Sequence, residues 1–255
     1  MAPRTILITG ANRGVGFAIL QSLTQRTPSD YYVLVCRSKE KGLETIKRLR
    51  DLDIVSRTDV LELDITSDEG IQAAVEEVKD NYGNLDDMSS YSLEILINNA
   101  GVLGTTASPP STLHSAYNSN FNINVTSVAL TIALFLPLLR LSPTAYIINV
   151  SSKRGSMRSS MSGKFPVVRA SPYCAAKAAL NMVTVMYAME KENAHIVMHV
   201  VTPGLTATDF SGHRGRDALN GAKVVVELVN APRGKYANGF WQMEEGNTEP
   251  VVVPW

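Results

Sequence analysis

The first sixteen residues constrain the fold more than any other stretch. Thr5-Ile6-Leu7-Ile8-Thr9 is a short β-branched and aliphatic run. It leads at once into Gly10-Ala11-Asn12-Arg13-Gly14-Val15-Gly16 and then into a helical stretch from Phe17 to Gln25. Strand, glycine-rich turn and helix in this order open a nucleotide-binding βαβ unit. Glycines let the backbone turn sharply and approach a pyrophosphate, and the following helix aims its free N–H groups and positive dipole end at that anion. Many tight turns contain glycine, so the rest of the chain must supply a sheet, a second nucleotide contact and chemistry.

Apolar strands alternate with helical patterns along the whole chain. Strands are predicted at Tyr31–Cys36, Val60–Asp64, Leu93–Asn98, Ala145–Val150, Ile196–Val201 and Gly239–Met243. Between them lie a helix over Lys39–Asp51 and a second opened by the capping box Thr66-Ser67-Asp68-Glu69, with Thr66 as N-cap, that ends near Tyr82-Gly83. Helices follow near Leu113–Asn120 and Ile123–Leu141, then one from Ser171 (N-cap) and Pro172 (N1) to about Asn193, and a last one over Ala218–Asn230. This alternation predicts a single α/β Rossmann-type domain over residues 1–255, a doubly wound parallel sheet of about seven strands with helices on both faces.

Composition excludes several function classes. A net charge of zero gives no electrostatic reason to expect nucleic acid or an anionic membrane. The apolar stretch Val125–Leu139 contains Pro137 and is short for a bilayer span, so it reads as a helix buried in the domain. Two cysteines, Cys36 and Cys174, form no disulfide framework and fit a reducing compartment, and the strand beginning at residue 5 leaves no room for a signal peptide. A cytoplasmic protein is the expectation. His114, His195, His199 and His213 lack metal-ligand spacing, His195 and His199 flanking a strand rather than sharing a helix face. No metal site is expected.

Ligands on such a sheet bind beyond the carboxyl ends of the strands. The glycine turn, Asn98-Asn99-Ala100-Gly101, Ser151-Ser152 and Pro203-Gly204 all follow strands and should gather at one edge. Tyr173 and Lys177 are four apart on one helix face. A lysine ammonium a few ångström from a phenol favours phenolate, on the order of 4 kcal/mol at 4 Å before screening. Such a phenol can act as general acid toward a carbonyl oxygen.

At this point the chain resembles the classical short-chain dehydrogenase/reductase family over essentially its whole length. Thr9-Gly10-Ala11-Asn12-Arg13-Gly14-Val15-Gly16 fits the family's glycine turn, Asn98-Asn99-Ala100-Gly101 its Asn-Asn-Ala-Gly motif, Tyr173-Cys174-Ala175-Ala176-Lys177 its Tyr-x-x-x-Lys, and Pro203-Gly204 with Thr208 its Pro-Gly-x-x-x-Thr. The short C-terminal half ending Pro254-Trp255 is similar to the small carbonyl reductase (sniffer-like) branch. The resemblance implies a catalytic set of Asn124, Ser152, Tyr173 and Lys177, with Ser152 holding the carbonyl oxygen and Asn124 anchoring a relay water. Ser152 precedes Tyr173 by twenty-one residues, a longer spacing than the family's usual one, so the intervening loop carries an insertion and Ser151 stays open as an alternative.

The resemblance also implies a dinucleotide held by Gly10, Asn12, Arg13, Gly14, Val15, Gly16, Asn99, Ala100, Gly101, Tyr173, Lys177, Pro203, Gly204 and Thr208, with Asp64 and Ile65 beside the adenine. NAD-preferring relatives often carry an acid at the end of the second strand. Here Cys36 stands there, followed by Arg37, and Arg13 adds a second cation, so the expected cofactor is NADP(H). The implied activity is reduction of a ketone or aldehyde to an alcohol, with a small-molecule carbonyl or alcohol substrate bound by loops 153–170 and 205–217. Met157, Met161, Phe165 and Phe210 there suggest an apolar substrate, while Arg154, Arg158, Lys164 and Arg169 read as a solvated basic loop. Relatives include homodimers, homotetramers and monomers, so the assembly stays open. The alternative reading is an NADP-binding protein of the same fold with a regulatory or non-redox role, such as a cyclisation.

Overall fold

A computed structural model describes residues 3–82, 93–104, 109–163 and 170–255. Its centre is a sheet of order β3-β2-β1-β4-β5-β6-β7-β8. The strands are β1 (Thr5–Thr9), β2 (Tyr31–Cys36), β3 (Arg57–Glu62), β4 (Leu93–Asn98), β5 (Tyr146–Val150), β6 (Val197–Thr202), β7 (Gly239–Gln242) and β8 (Val251–Val252). All pairings are parallel except β7 with β8. The doubly wound sheet expected from the alternation is therefore present. It gains one antiparallel edge strand, whose two residues are too few to show a period.

The helices are α1 (Gly14–Arg26), α2 (Lys39–Arg50), α3 (Asp68–Tyr82), α4 (Pro110–Phe121), α5 (Ser127–Leu139), α6 (Met157–Met161), α7 (Ser171–Met189) and α8 (Ala218–Asn230). One core unites α1, α2 and α8 on one face of the sheet, through Phe17, Leu20, Leu49, Val225 and Leu228. The other unites α3, α5 and α7 on the opposite face, through Ile71, Ile132, Phe135 and Leu180. Each such buried side chain contributes roughly 1.5–3 kcal/mol. The run Pro110–Leu139 is continuous, because α4 and α5 are joined by a π-type turn at Asn122–Thr126. It is long and apolar enough to cross a membrane by length and composition, yet Ile132, Phe135 and Leu139 are fully buried in the second core.

Several element ends move. The α1 helix begins at Gly14 and not Phe17, since the turn itself winds into the helix. The third strand starts at Arg57, before the apolar residues that marked it. Ser67, not Thr66, caps α3: the Gly70 N–H donates to Ser67 Oγ at 3.0 Å. Thr66 is occupied elsewhere, donating from its N–H and hydroxyl to Asp64 Oδ1 at 2.9 and 2.8 Å. In α7 the N-cap is Ala170, so Ser171 and Pro172 are the first helical residues, and the helix stops at Met189 where Glu190 turns extended. His199 lies inside β6, not at its flank, opposite Gly239 of β7.

The segment after β5 is not a plain loop. It holds a tight turn at Lys153–Gly155 and the short α6. The chain's last residues brace it: Ser156 Oγ donates to the Pro254 carbonyl, the Arg158 N–H to the Trp255 carbonyl at 3.2 Å, and the Trp255 ring lies 5.7 Å from that of Phe240 in β7. Gly83, Lys164, Phe165 and Arg169 lie outside the described residues.

Candidate active site

The sheet order reverses between β1 and β4, so a crevice opens at their carboxyl ends. Gly10 sits there with φ +65, and its N–H donates to the Val35 carbonyl at 2.8 Å. A side chain on Gly16 would put its Cβ 2.3 Å from the Gly10 carbonyl oxygen. Gly14 has φ +57, with the Thr208 methyl poised over it. The first turn of α1 carries no acid, and its N-cap, Arg13, makes no side-chain cap bond. A backbone cradle that excludes Cβ atoms, ending in an uncapped helix N-terminus, fits a dinucleotide pyrophosphate. Asn12, Arg13, Val15 and Gly16 all belong to this turn; Val15 packs on the first core, and the Asn12 carbonyl accepts from Thr45.

The Asn-Asn-Ala-Gly stretch locks this turn in place. The N–H groups of Asn99 and Ala100 both donate to Thr9 Oγ1, at 3.0 and 3.1 Å. The Asn99 amide donates to the carbonyls of Thr9 and Gly10 at 2.9 and 3.2 Å. Behind it runs a buried chain that sequence reasoning missed: Asn98 donates to Asn149 of β5 at 2.9 Å, and Asn149 to Thr184 of α7 at 2.8 Å. Polar residues at strand positions flanked by apolar ones were the available signal. Their effect is to fix α7 against the glycine turn through fully satisfied amides.

Tyr173 and Lys177 are both buried on α7. Lys177 Nζ donates to the Val150 carbonyl at 2.9 Å and lies 5.9 Å from the centre of the Tyr173 ring. The Ser152 hydroxyl acts on the Tyr173 phenol from close by, and its Oγ also accepts from the Arg154 N–H at 3.2 Å. Burial dominates both titrations: the phenol is pushed up to about 12, the Ser152 hydroxyl acting against this, and the amine is pushed down to about 8. The expected lowering of the phenol by Lys177 is outweighed by burial. Nζ is engaged with the Val150 carbonyl.

The two serines separate by direction. Ser151 faces inward, donating to Asn181 Oδ1 at 2.7 Å, whereas Ser152 faces Tyr173. The turn after Ser152 is pressed onto α7: a Cβ on Gly155 would meet the Lys177 backbone at 2.6 Å, and Asn181 donates to the Gly155 carbonyl. Asn124 is fully buried in the π-type turn. Its Oδ1 accepts from the Val102 N–H at 3.1 Å, and its Nδ2 donates to Val102 and Asn120 at 2.9 and 3.1 Å. Oδ1 is also the atom nearest a Cβ built on Gly101, with Lys177 Nζ close by. The side chain therefore clamps the segment after β4.

At the end of β2, Cys36 is buried and its Sγ contacts the Ser38 carbonyl. Arg37 is exposed. Asp64 is held below the usual carboxylate range by the Thr66 N–H and hydroxyl, with the Arg37 charge adding to them. Ile65 packs on the second core. Beyond β6, Gly204 has φ +74, and the Arg216 guanidinium donates to the Pro203 carbonyl at 2.7 Å. Thr208 caps the turn Asp209–Ser211. Among the described residues no group of histidine, cysteine and carboxylate side chains could hold a metal.

The arrangement gathers a nucleotide cradle, a paired hydroxyl and phenol, and a buried amine at one sheet edge. Residues 4–218 match the family model described as short chain dehydrogenase. A short-chain dehydrogenase/reductase of Aspergillus fumigatus is 36% identical over 266 residues, covering 99% of this chain and 97% of the relative. The NADPH-bound carbonyl reductase from chicken fatty liver superposes with a TM-score of 0.82 at 24% identity, covering 100% of both chains. The carbonyl reductase Sniffer of Caenorhabditis elegans superposes with a TM-score of 0.72 at 24% identity, covering 95% and 97%. These two structures share its fold.

Proposed function

Because the chain belongs to the short-chain dehydrogenase/reductase family, we propose that it is an NADPH-dependent oxidoreductase that reduces a ketone or aldehyde to an alcohol. The observation that carries this reading is the placement of Ser152 beside the buried Tyr173 and Lys177, at the same sheet edge as the glycine cradle. When bound in that cradle, the nicotinamide supplies the hydride for the carbonyl carbon.

The chain's own residues supply the rest. Ser152 and Tyr173 present two hydroxyl donors to one carbonyl oxygen, which orients the substrate and stabilises charge developing there. A phenol pushed up to about 12 keeps its proton at neutral pH. It still gives that proton readily to an alkoxide, a far stronger base. The phenolate so formed has the Lys177 ammonium as its nearest buried cation, which stabilises it until the proton is restored. Asn124 positions the Gly101–Val102 segment beside Lys177. Gly10, Gly14, Gly16, Asn99, Ala100, Gly101 and Thr208 line the dinucleotide. Arg13 and Arg37 answer a 2′-phosphate, which favours NADP(H) over NAD(H). The free thiols of Cys36 and Cys174 suit the cytoplasm.

The test follows NADPH absorbance with a panel of ketones and aldehydes. Turnover by the wild type and its loss in Tyr173→Phe supports the reading. Tight NADPH binding with no turnover of any carbonyl would sink it and favour a non-redox role.

A further inference from the structure

Phe210 lies in the turn capped by Thr208 and rests its ring on Tyr173. The centroids are 5.8 Å apart with planes at 62°, an edge-to-face contact. The ring is nonetheless 44% exposed. An apolar ring left half in water gains nothing for folding from its open side. The turn that carries it is tightly tied. Ser211 Oγ donates to the Thr206 carbonyl at 2.6 Å, lies 2.9 Å from the Arg214 carbonyl and accepts from the Arg214 N–H at 3.1 Å. Thr208 caps the same turn, and its methyl lies over Gly14. The turn that carries the ring is thus anchored beside the glycine cradle, and the ring rests on Tyr173. The segments that flank the site expose further apolar residues, Leu205 after β6 and Met157 on α6.

We infer that Phe210 is a specificity-determining residue, the aromatic wall of the substrate pocket, and that it selects carbonyl compounds bearing an aryl or other flat conjugated group beside the carbonyl. This rests on the reductase reading for the identity of the reacting group. The aromatic wall itself is a statement about binding. A planar substituent next to a carbonyl held by Ser152 and Tyr173 meets the open side of the Phe210 ring. A saturated ring of the same size meets it with poorer contact and without the quadrupole match.

The experiment measures dissociation constants of acetophenone and cyclohexyl methyl ketone on the NADP+-loaded protein by ligand-observed NMR. It compares the wild type with Phe210→Leu and Phe210→Tyr. The expected wild-type preference for the aryl ketone falls about fivefold in Phe210→Leu and is kept in Phe210→Tyr. Equal preference in all three proteins, or none in the wild type, overturns the inference even if both ketones are reduced. A Phe210-dependent preference in protein that turns over no carbonyl of the panel leaves the inference standing and removes the reductase reading.

Discussion

Lys177 Nζ lies 5.9 Å from the centre of the Tyr173 ring and donates to the Val150 carbonyl at 2.9 Å, so the two groups are buried together without being paired. Their titrations move in opposite directions. The folded-state amine sits near 8, below the ordinary lysine value, and the phenol near 12, above the ordinary tyrosine value.

The sign of the resulting pH dependence follows from proton counts. Between pH 8 and about 10.5 the unfolded chain keeps the Lys177 proton while the native state sheds it, so stability rises with pH. Between about pH 10 and 12 the native state keeps the Tyr173 proton longer, so stability falls. Urea unfolding of the nucleotide-free protein is expected to show a rising component from pH 8 to 10 that is missing in Lys177→Met. At pH 7 that variant is expected to be more stable than the wild type, by up to about 3 kcal/mol. A variant less stable at pH 7, with an unchanged pH curve, contradicts this.

Tyr173→Phe removes the proton donor without emptying its space. Carbonyl reduction is expected to fall on the order of 10²–10⁴-fold in kcat, with NADPH affinity little changed. Stopped-flow fluorescence for binding and steady-state absorbance for turnover separate the two effects.

The serine pair gives opposite outcomes. Ser152→Ala is expected to cut kcat/KM sharply, with a stability loss limited to the turn cap its Oγ gives the Arg154 N–H, about 1 kcal/mol. Ser151→Ala strands Asn181 Oδ1, which Ser151 reaches at 2.7 Å, and is expected to cost about 1–3 kcal/mol of stability. Thermal melts set beside kinetics of both variants check the assignment, and a reversal would move the substrate contact to Ser151.

Arg37→Glu places a carboxylate at the end of β2. It is expected to weaken NADP+ by roughly 10–100-fold and to improve NAD+ relative to it. Calorimetric titration of both nucleotides reads the change; equal losses for the two would show that Arg37 does not sense the 2′-phosphate.

Much of this was legible in sequence because local signals and tertiary demands coincide. The alternation of apolar runs with helical periods specifies a parallel sheet, and the glycines specify the turn where no Cβ fits. Other features depend on contacts between distant segments. The capping role passed from Thr66 to Ser67 because Asp64 competes for the Thr66 hydroxyl. The relay Asn98–Asn149–Thr184 joins three elements, so no local window reveals it. The lack of a direct Tyr173–Lys177 ion pair depends on the Val150 carbonyl, which only the packing of β5 on α7 brings near. The eighth strand has two residues and no period to read.

The bracing of Ser156 and Arg158 by Pro254 and Trp255 has a temporal consequence. During synthesis the glycine turn, Ser152, Tyr173 and Lys177 all leave the ribosome before residues 254 and 255. A nascent chain can therefore hold every reacting group while the segment just after Ser152 still lacks its fastening. The fastening of that segment waits on residues 254 and 255, which are made after every reacting group.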